Sequence, residues 1–307
     1  MSVSETIRLE DAIISTLNYF NLFKRPLNTE EIYSFLTKQT DVKRLQLVLN
    51  EMVSCGLIFE HSGHYMLVDN KEFVTERERG KKRADILLDK AIDSVNLISK
   101  FPFVSAVCIS GSLSKGYANA QSDIDLFIIT DKKRLWICRT LLHLYKKLTF
   151  FWGKEHSYCM NYFIDESKLC IEEQNIFTAT ELATLLPVYN VEKHRELIYA
   201  NKCWLVKTLP NISWNSDMIV ASVEKSTARR IVEPFINILA PSLLNLSLMH
   251  LTDKWWRLKW RRKKYPMKDY DLAMKTRWYV SKNHPHNYQK RVLNQLDGNK
   301  QKVAAML

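Results

Sequence analysis

The chain has 307 residues, of which 46% are hydrophobic and 25% are charged. This balance is typical of an ordinary soluble globular protein, and the length is sufficient for two or three domains. The six cysteines are scattered without the spacing of metal ligands, and no secretion signal precedes the first predicted helix. The composition therefore argues against a cysteine-held metal site, and we expect reduced, mostly buried thiols in a cytoplasmic protein.

The net charge of +12 is concentrated at the C-terminal end of the chain. Residues 253–307 contain fifteen lysines and arginines against four acids, which accounts for +11 of the total. The rest of the sequence is close to neutral. A polyanionic partner should therefore meet the C-terminal end first.

Residues 9–68 contain three helix patterns followed by a hairpin pattern. An apolar stripe defines the first helix, a Pro and a capping residue separate it from the second, and the third runs from a cap at Asp41 to Gly56. The segment LIFEHSGHYMLV then predicts a strand, a Ser-Gly turn and a second strand. Three helices and a hairpin of this size resemble a winged helix-turn-helix domain, which we assign to residues 1–70.

The third helix of this unit is poorly equipped to bind DNA. It offers Lys43 and Arg44 as cations, opposed by Asp41 and Glu51. Because neutralisation of phosphates supplies most non-specific affinity for DNA, we favour a role in packing or protein contact. DNA binding remains the alternative.

Residues 71–100 connect this unit to the next one. Their first half is a run of charges, which we interpret as a solvated linker or the start of a helix. From Ala84 onwards the apolar residues recur with helical spacing and predict an amphipathic helix that ends before Pro102.

An apolar strand pattern, FVSAVCIS, ends in a turn at Gly111 and Ser112. Glycine permits close approach of the backbone to a ligand, and a helix that begins at Ser112 would point free N–H groups and a hydroxyl at an anion. These features predict a phosphate site. Lys115 lies in the same loop, where phosphate contact and simple exposure to solvent are equally open. Arg134, further along, is a weaker candidate for a phosphate contact.

Ten residues after Ser112, the segment SDIDLFIIT has the composition of a strand. Because side chains alternate along a strand, Asp123 and Asp125 share one face, about 6.6 Å apart along its axis. Two neighbouring carboxylates repel each other unless a cation lies near, and Mg²⁺ or Mn²⁺ prefers oxygen ligands. The pair is therefore predicted to bind metal ions that also bind a triphosphate. Ordinary surface-turn chemistry is the alternative explanation.

Gly-Ser, ten residues and then Asp-hydrophobic-Asp-hydrophobic resembles the signature of the DNA polymerase beta-like nucleotidyltransferase superfamily. In that superfamily the glycine and serine contact nucleotide phosphates, and the two acids bind magnesium. The wider layout over 9–212 looks like that of uncharacterised bacterial nucleotidyltransferase-domain proteins with an N-terminal winged helix. The resemblance implies an α/β (α+β) fold, with a nucleotidyltransferase core and small mixed sheet over 101–165. A helical C-terminal region, 166–307, then ends in the basic tail.

The resemblance implies magnesium-dependent transfer of a nucleoside monophosphate from a nucleoside triphosphate to an unidentified acceptor. The superfamily usually carries a third carboxylate on the next strand, here SYCMNYFI, where this chain has Asn161, which cannot take a proton. Four acids just beyond could substitute: Asp165, Glu166, Glu172 and Glu173. The alternative is a non-catalytic nucleotide-binding or regulatory, antitoxin-like protein with a degenerate nucleotidyltransferase fold.

The second half of the chain mostly predicts helices. TATELATLLPVYN reads as a helix capped at Thr178 or Thr180 and ended by Pro187, and ELIYANKCWLVKTL predicts another. Since helices beside a nucleotidyltransferase core commonly shape the acceptor pocket, we expect this half to select the acceptor.

Residues 230–251 form the most apolar stretch, and a cationic, aromatic segment, KWWRLKWRRKKYPMKDY, follows it. Polar residues and two prolines within the apolar stretch argue against a membrane span and favour a buried helix pair broken near Pro241. The second segment suits nucleic acid, an anionic membrane surface, or a structural helix. We favour the structural helix slightly, with Trp255, Trp256 and Trp260 packed inward.

Overall fold

The structure is a computed structural model that describes residues 8–151, 158–212, 233–238, 242–284 and 287–304. Its helices, in chain order, are α1 (Leu9–Asn21), α2 (Thr29–Phe35), α3 (Val42–Ser54), α4 (Glu72–Ile98), α5 (Leu135–Phe151), α6 (Ile176–Ala183), α7 (Val191–Thr208), α8 (Ser242–Arg262), α9 (Tyr270–Ala273) and α10 (Tyr288–Ala304). Short 3₁₀ turns lie at Leu113–Lys115 and Met267–Asp269, and residues 233–238 are also helical.

The strands form a hairpin and one larger mixed sheet. They are β1 (Phe59–His61), β2 (His64–Met66), β3 (Val104–Ser110), β4 (Ile124–Thr130), β5 (Tyr158–Asp165), β6 (Leu186–Tyr189), β7 (Thr276–Arg277) and β8 (Val280–Lys282). The larger sheet has the order β6-β3-β4-β5-β8-β7. Strands β4 and β5 run parallel, whereas the other neighbouring pairs are antiparallel. The predicted α/β fold with a mixed sheet is confirmed.

Helices cover both faces of this sheet, which explains why β3 and β4 are apolar along almost their whole length. Side chains such as Leu126 and Ile128 face the core shared with α4 and α5. The alternate residues, including Phe127 and Ile129, face the core shared with α6 and α7. Asp125 follows the register of Phe127, so its carboxylate lies on the side of the sheet that α6 and α7 cover.

The three helices and the hairpin predicted in the N-terminal segment are present as α1–α3 and β1–β2. Asn28 caps α2 through a capping box with Glu31, and the Asp41 carboxylate accepts a hydrogen bond from the Arg44 N–H at the start of α3. The core of this unit also contains Val292 and Leu296 of α10. The C-terminal helix therefore completes the N-terminal core, and the winged-helix assignment stays a prediction.

Of the two interpretations of the charged run at the start of 71–100, the start of a helix agrees with the structure, because the run belongs to α4, a helix of 27 residues. Glu, Lys and Arg are good helix formers, so a charged run does not interrupt a helix that is anchored elsewhere. Arg77 provides that anchor, since its guanidinium donates to the Pro26 carbonyl at 2.5 Å and to the Glu31 carboxylate at 2.8 Å.

The expected helical region after residue 165 also supplies β6, β7 and β8 to the sheet. The helix predicted over TATELATLLPVYN begins and ends earlier than expected: α6 is capped by Asn175 and not by Thr178 or Thr180, and Leu186–Tyr189 is a strand. Pro187 fits there because β6 is an edge strand, where a missing N–H costs no ladder hydrogen bond. Strands of two to four residues are too short to show an alternating pattern in the sequence.

The apolar stretch before the basic segment packs through its polar residues. Glu233 accepts a hydrogen bond from the Phe103 N–H at 2.9 Å. The Asn245 side chain accepts hydrogen bonds from the N–H groups of Trp136 and Ile137 in the first turn of α5. The predicted break at Pro241 lies outside the described residues. In the part of the chain that the structure describes, no helix combines the length and apolar character needed to cross a membrane.

Two of the three tryptophans in α8 pack as the structural interpretation predicts. Trp256 and Trp260 are buried, and Trp260 packs with Tyr265 and Tyr270. Trp255 is 53% exposed, so the expectation that it packs inward is wrong. It lies on the opposite face of the helix, because neighbouring residues on a helix are about 100° apart.

The expectation of mostly buried thiols is wrong as well. Cys108 and Cys138 are buried and Cys159 is partly exposed, while the other three are exposed: Cys55, Cys170 and Cys203. All six are free thiols. An apolar neighbourhood in the sequence does not decide which face of an element a cysteine occupies.

Candidate active site

The turn after β3 and the carboxylate of Asp125 are in direct contact. Gly111 has φ +72°, and a Cβ atom added to it would lie 2.5 Å from the Asp125 Oδ2 atom. A side chain at this position would therefore be strained by its backbone conformation and would also collide with the carboxylate. The register of the two strands, with Ser110 opposite Asp125, creates this approach. Glycine is needed here because the turn closes onto an acid.

The loop that follows is less helical than predicted. A single 3₁₀ turn, Leu113–Lys115, replaces the helix expected from Ser112, and Gly116 ends it with φ +67°. Ser112 is exposed, and its side chain makes no capping hydrogen bond. The Ser114 hydroxyl donates to the Gly111 carbonyl at 3.0 Å, which ties the turn together.

Lys115 is held within the site. Its ammonium group donates to the Gly111 carbonyl at 2.9 Å and to the Glu181 carboxylate of α6, also at 2.9 Å. The side chain is 13% exposed, so the solvated alternative considered for Lys115 does not describe this arrangement. The lysine thus links the loop to a carboxylate that the sequence reasoning missed.

The two predicted acids lie at the start of β4, beside the start of β5. Asp123 directly precedes the strand and is exposed, whereas Asp125 lies within it and is partly buried. The Asn161 amide donates to the Asp125 carboxylate at 3.0 Å, and the Cys159 thiol lies 3.6 Å from the Asp123 carboxylate. The pairing of β4 with β5 shifts register beside Asn161, consistent with a bulge that returns this side chain to the same face.

The environment of Asp125 disfavours its charged form. Its pKa is raised from 3.8 to about 6, chiefly by burial and also by the nearby charges of Glu181 and Asp123, while the Asn161 hydrogen bond and Lys115 oppose the change. Burial also raises the pKa of the Cys159 thiol to about 11. Asp125 therefore lies in a setting where added positive charge would be strongly stabilising.

The four acids expected to substitute for a third carboxylate lie elsewhere. Asp165 ends β5 at the far end from Asp125 and accepts hydrogen bonds from the backbone of Lys133 and Ser167. Glu166 accepts a hydrogen bond from the Ser105 hydroxyl. The other two acids, Glu172 and Glu173, both form ion pairs with Lys275. The parallel register of β4 and β5 explains the error, since it sends residues after 161 away from the site.

Arg134, the arginine considered for a phosphate contact, and Arg139, the next arginine in the chain, both lie away from this end of the sheet. Arg134 follows the far end of β4, where its guanidinium lies 5.4 Å from the centre of the Phe103 ring. Arg139 is buried between the rings of Trp136 and Trp256, at 5.6 Å and 4.7 Å. Burial lowers its pKa to about 10. Arg139 is therefore held between aromatic rings, away from the two aspartates.

Asp123 and Asp125 are chemically suited to a magnesium ion that arrives with a nucleotide. Among the described residues, no three or more His, Cys, Asp or Glu side chains are grouped to hold a metal on their own. Mg²⁺ does not require such a group, because it commonly binds through one or two carboxylates together with substrate phosphates and water. The under-neutralised Asp125, with Asp123 beside it, fits that mode of binding.

Residues 89–197 match the family model of the nucleotidyltransferase domain. This range contains the loop at Gly111, both aspartates, Asn161 and Glu181. The match supports a nucleotidyltransferase activity in general, with a nucleotide as substrate. Comparison of the chain with curated proteins and with solved structures gave no match.

Proposed function

We propose that this protein transfers a nucleoside monophosphate from a nucleoside triphosphate to an acceptor, in a magnesium-dependent reaction. The observation that carries the proposal is the close approach of Gly111 to Asp125. It brings the Gly-Ser turn and the Asp-x-Asp pair, each suited to one part of a metal–triphosphate complex, to the same point of the sheet.

The roles of the residues follow from their positions. Gly111 and Ser112 hold the phosphates, since the turn is exposed and carries backbone and hydroxyl donors. Asp123 and Asp125 hold a divalent cation, which supplies positive charge to the triphosphate and to the departing pyrophosphate. Lys115 exchanges its present carbonyl and carboxylate partners for a phosphate oxygen.

In the reaction, the acceptor oxygen forms a bond to the α-phosphorus. The bond between that phosphorus and the α,β-bridging oxygen breaks, and pyrophosphate leaves with its electron pair. The acceptor loses its hydroxyl proton to a general base. Asn161 cannot receive it, and its amide is directed at Asp125.

Glu181 is the residue we propose for this proton. It contacts the loop through Lys115, and its charge acts on Asp125. When Lys115 turns to a phosphate, the Glu181 carboxylate loses its cationic partner and becomes available as a base. Glu181→Gln keeps an oxygen for Lys115 but cannot take a proton, so magnesium-dependent triphosphate binding should persist while transfer falls at least tenfold. Transfer at the wild-type rate would remove Glu181 from the mechanism.

The overall proposal is tested by labelling. The protein is incubated with each α-³²P-labelled nucleoside triphosphate, Mg²⁺ and a cell extract, and the mixture is separated to find what becomes labelled. Wild type should label an acceptor with one triphosphate, and Asp125→Asn should not. Equal labelling by the two proteins would contradict the proposed site.

The second candidate is a non-catalytic nucleotide-binding or regulatory protein. Asn161 supports it, because an amide occupies the position where a catalytic carboxylate is expected. That protein would bind a triphosphate with magnesium, label no acceptor and gain no activity from Asn161→Asp. Appearance of labelled acceptor in wild type would exclude it.

We also propose roles for the N-terminal unit and for the helices after residue 165. Residues 1–70 form a winged-helix-like unit used for packing or protein contact. The surface of α3 exposes Leu47 and carries few cations, which suits a protein partner better than DNA. The helices after residue 165 would shape the acceptor pocket, since α6 already reaches the loop through Glu181.

A further inference from the structure

Helix α8 exposes a continuous apolar stripe on the face opposite to its buried tryptophans. Leu251, Trp255 and Leu258 are 66%, 53% and 59% exposed, and they recur at intervals of three and four residues. Leu244 extends the stripe by two turns and is 40% exposed. Single exposed leucines are common, but an aligned series on one helix face marks an interaction surface.

Cations border this stripe on α8 and on the turn after it. The exposed ones are Lys254, Lys259, Arg261, Arg262, Lys263 and Lys264. The one acid in α8, Asp253, is paired with Arg257 at 2.8 Å and so does not offset these charges. An apolar stripe between solvated cations is the pattern of a helix that lies in the interface of an anionic bilayer.

Helix α5 continues the same surface. Its Lys147 ammonium lies 5.7 Å from the centre of the Trp255 ring, so the two helices are adjacent here. Leu144 and Leu148 flank that lysine on α5 and are 51% and 44% exposed. The surface therefore spans two packed helices, which gives it a broader apolar area than α8 alone.

The composition of the surface favours a bilayer over a nucleic acid. Single-stranded nucleic acid is held by several exposed rings on which bases stack. In α8 the tryptophans Trp256 and Trp260 are buried, and Lys147 and Lys259 already lie near the Trp255 ring. The exposed apolar groups are otherwise leucines, which insert among acyl chains but offer no stacking face.

We propose that the surface formed by α8 and the adjoining part of α5 docks the protein on an anionic lipid bilayer. Leu251, Trp255 and Leu258 enter the headgroup region, while Arg261, Arg262 and the neighbouring lysines contact lipid phosphates. This docking is independent of the nucleotide site, which lies at the start of β4. It would hold the nucleotidyltransferase domain close to acceptors at a membrane surface.

The experiment is co-sedimentation of the full chain with vesicles of phosphatidylcholine alone, or of equal parts phosphatidylcholine and phosphatidylglycerol. One variant combines Leu251→Ser, Trp255→Ser and Leu258→Ser, and a second reverses charge at Arg261, Arg262, Lys263 and Lys264. The matched control places serine at three exposed apolar positions elsewhere: Leu47, Ile86 and Tyr199. Circular dichroism confirms that each variant folds, and a 30-nucleotide RNA is tested in parallel.

Wild type, the control variant and Asp125→Asn should all sediment with the anionic vesicles. Both α8 variants should bind them at least tenfold more weakly, and phosphatidylcholine alone should bind little of any protein. Vesicle binding that survives both α8 variants, or none by wild type, would overturn the proposal. Salt-sensitive RNA binding without vesicle binding, or self-association lost in the serine variant, would overturn it in favour of those partners.

Discussion

The two ends of the parallel pair β4 and β5 each carry an aspartate, and the two carboxylates differ in burial and in their hydrogen-bond partners. Asp165, at the carboxyl ends, is fully buried and accepts hydrogen bonds from the Lys133 N–H at 2.6 Å and from the N–H and hydroxyl of Ser167. Asp125, about 16 Å away along the strands, accepts one from Asn161. It also lies near the negative charges of Asp123 and Glu181.

We infer from this difference that Asp165 has a structural role and that Asp125 belongs to the proposed nucleotide site. The donors around Asp165 are supplied by the chain itself, so that carboxylate organises the turns after both strands. Asp125 is partly buried near two like charges, which Lys115 opposes only in part, and among the described residues it accepts a side-chain hydrogen bond from Asn161; an added cation would stabilise this arrangement. We therefore expect a substitution at Asp165 to lower stability and a substitution at Asp125 to lower nucleotide binding.

The largest loss of stability is expected from Asp165→Ala. The substitution removes a fully buried carboxylate that accepts three hydrogen bonds, each worth about 1 kcal/mol, so it should lower the free energy of unfolding by about 3 kcal/mol. Urea denaturation followed by circular dichroism measures this loss. Magnesium-dependent triphosphate binding should be unchanged below the unfolding transition. A stable variant that fails to bind nucleotide would reverse the roles assigned to the two ends.

Gly111→Ala should be the next most damaging change. Alanine at φ +72° is strained by roughly 1 kcal/mol, and its Cβ would also lie 2.5 Å from the Asp125 carboxylate, so we expect about 2–3 kcal/mol in total. Gly116→Ala is the matched control in the same loop, because Gly116 has φ +67° and no atom within 4 Å of an added Cβ. Equal losses in the two variants would show that contact with Asp125 contributes nothing.

The smallest effect concerns pH. Because burial raises the folded-state pKa of Asp125 to about 6, above the unfolded value, its ionisation destabilises the folded protein as pH rises from about 4 to about 6. Without metal, Asp125→Asn should therefore match wild type at pH 4 and melt about 2 °C higher at pH 7.5, an effect of roughly 1 kcal/mol. Differential scanning calorimetry measures this, and an equal difference at both pH values would contradict it.

The sequence predicts the local parts of the site and misses those that depend on tertiary packing. The Gly-Ser turn and the Asp-x-Asp pair are separated by one loop, so their spacing carries the information. Glu181 comes from α6, and nothing near it in the sequence indicates that this helix returns to the loop. The acids after Asn161 were named as possible substitutes because they are close in sequence, but the direction of the strand carries them away from Asp125.

The fold shows the same limit. Apolar strands β3, β4 and β5 could be predicted from residue type and alternation, whereas β6, β7 and β8 are too short for either signal. The position of Trp255 was mistaken because three tryptophans in six residues cannot share one helix face. Here helical geometry alone could have indicated which of the three is exposed.

The central claim is that the end of the sheet with Asp123 and Asp125 binds a nucleoside triphosphate together with a divalent cation. The most direct test is calorimetric titration of each of the four ribonucleoside triphosphates into wild type, Asp123→Asn and Asp125→Asn, with Mg²⁺ and with EDTA. We predict that wild type binds at least one triphosphate in a manner that requires Mg²⁺, and that each variant binds it at least tenfold more weakly while remaining folded. Wild-type magnesium-dependent affinity in both variants would contradict the account.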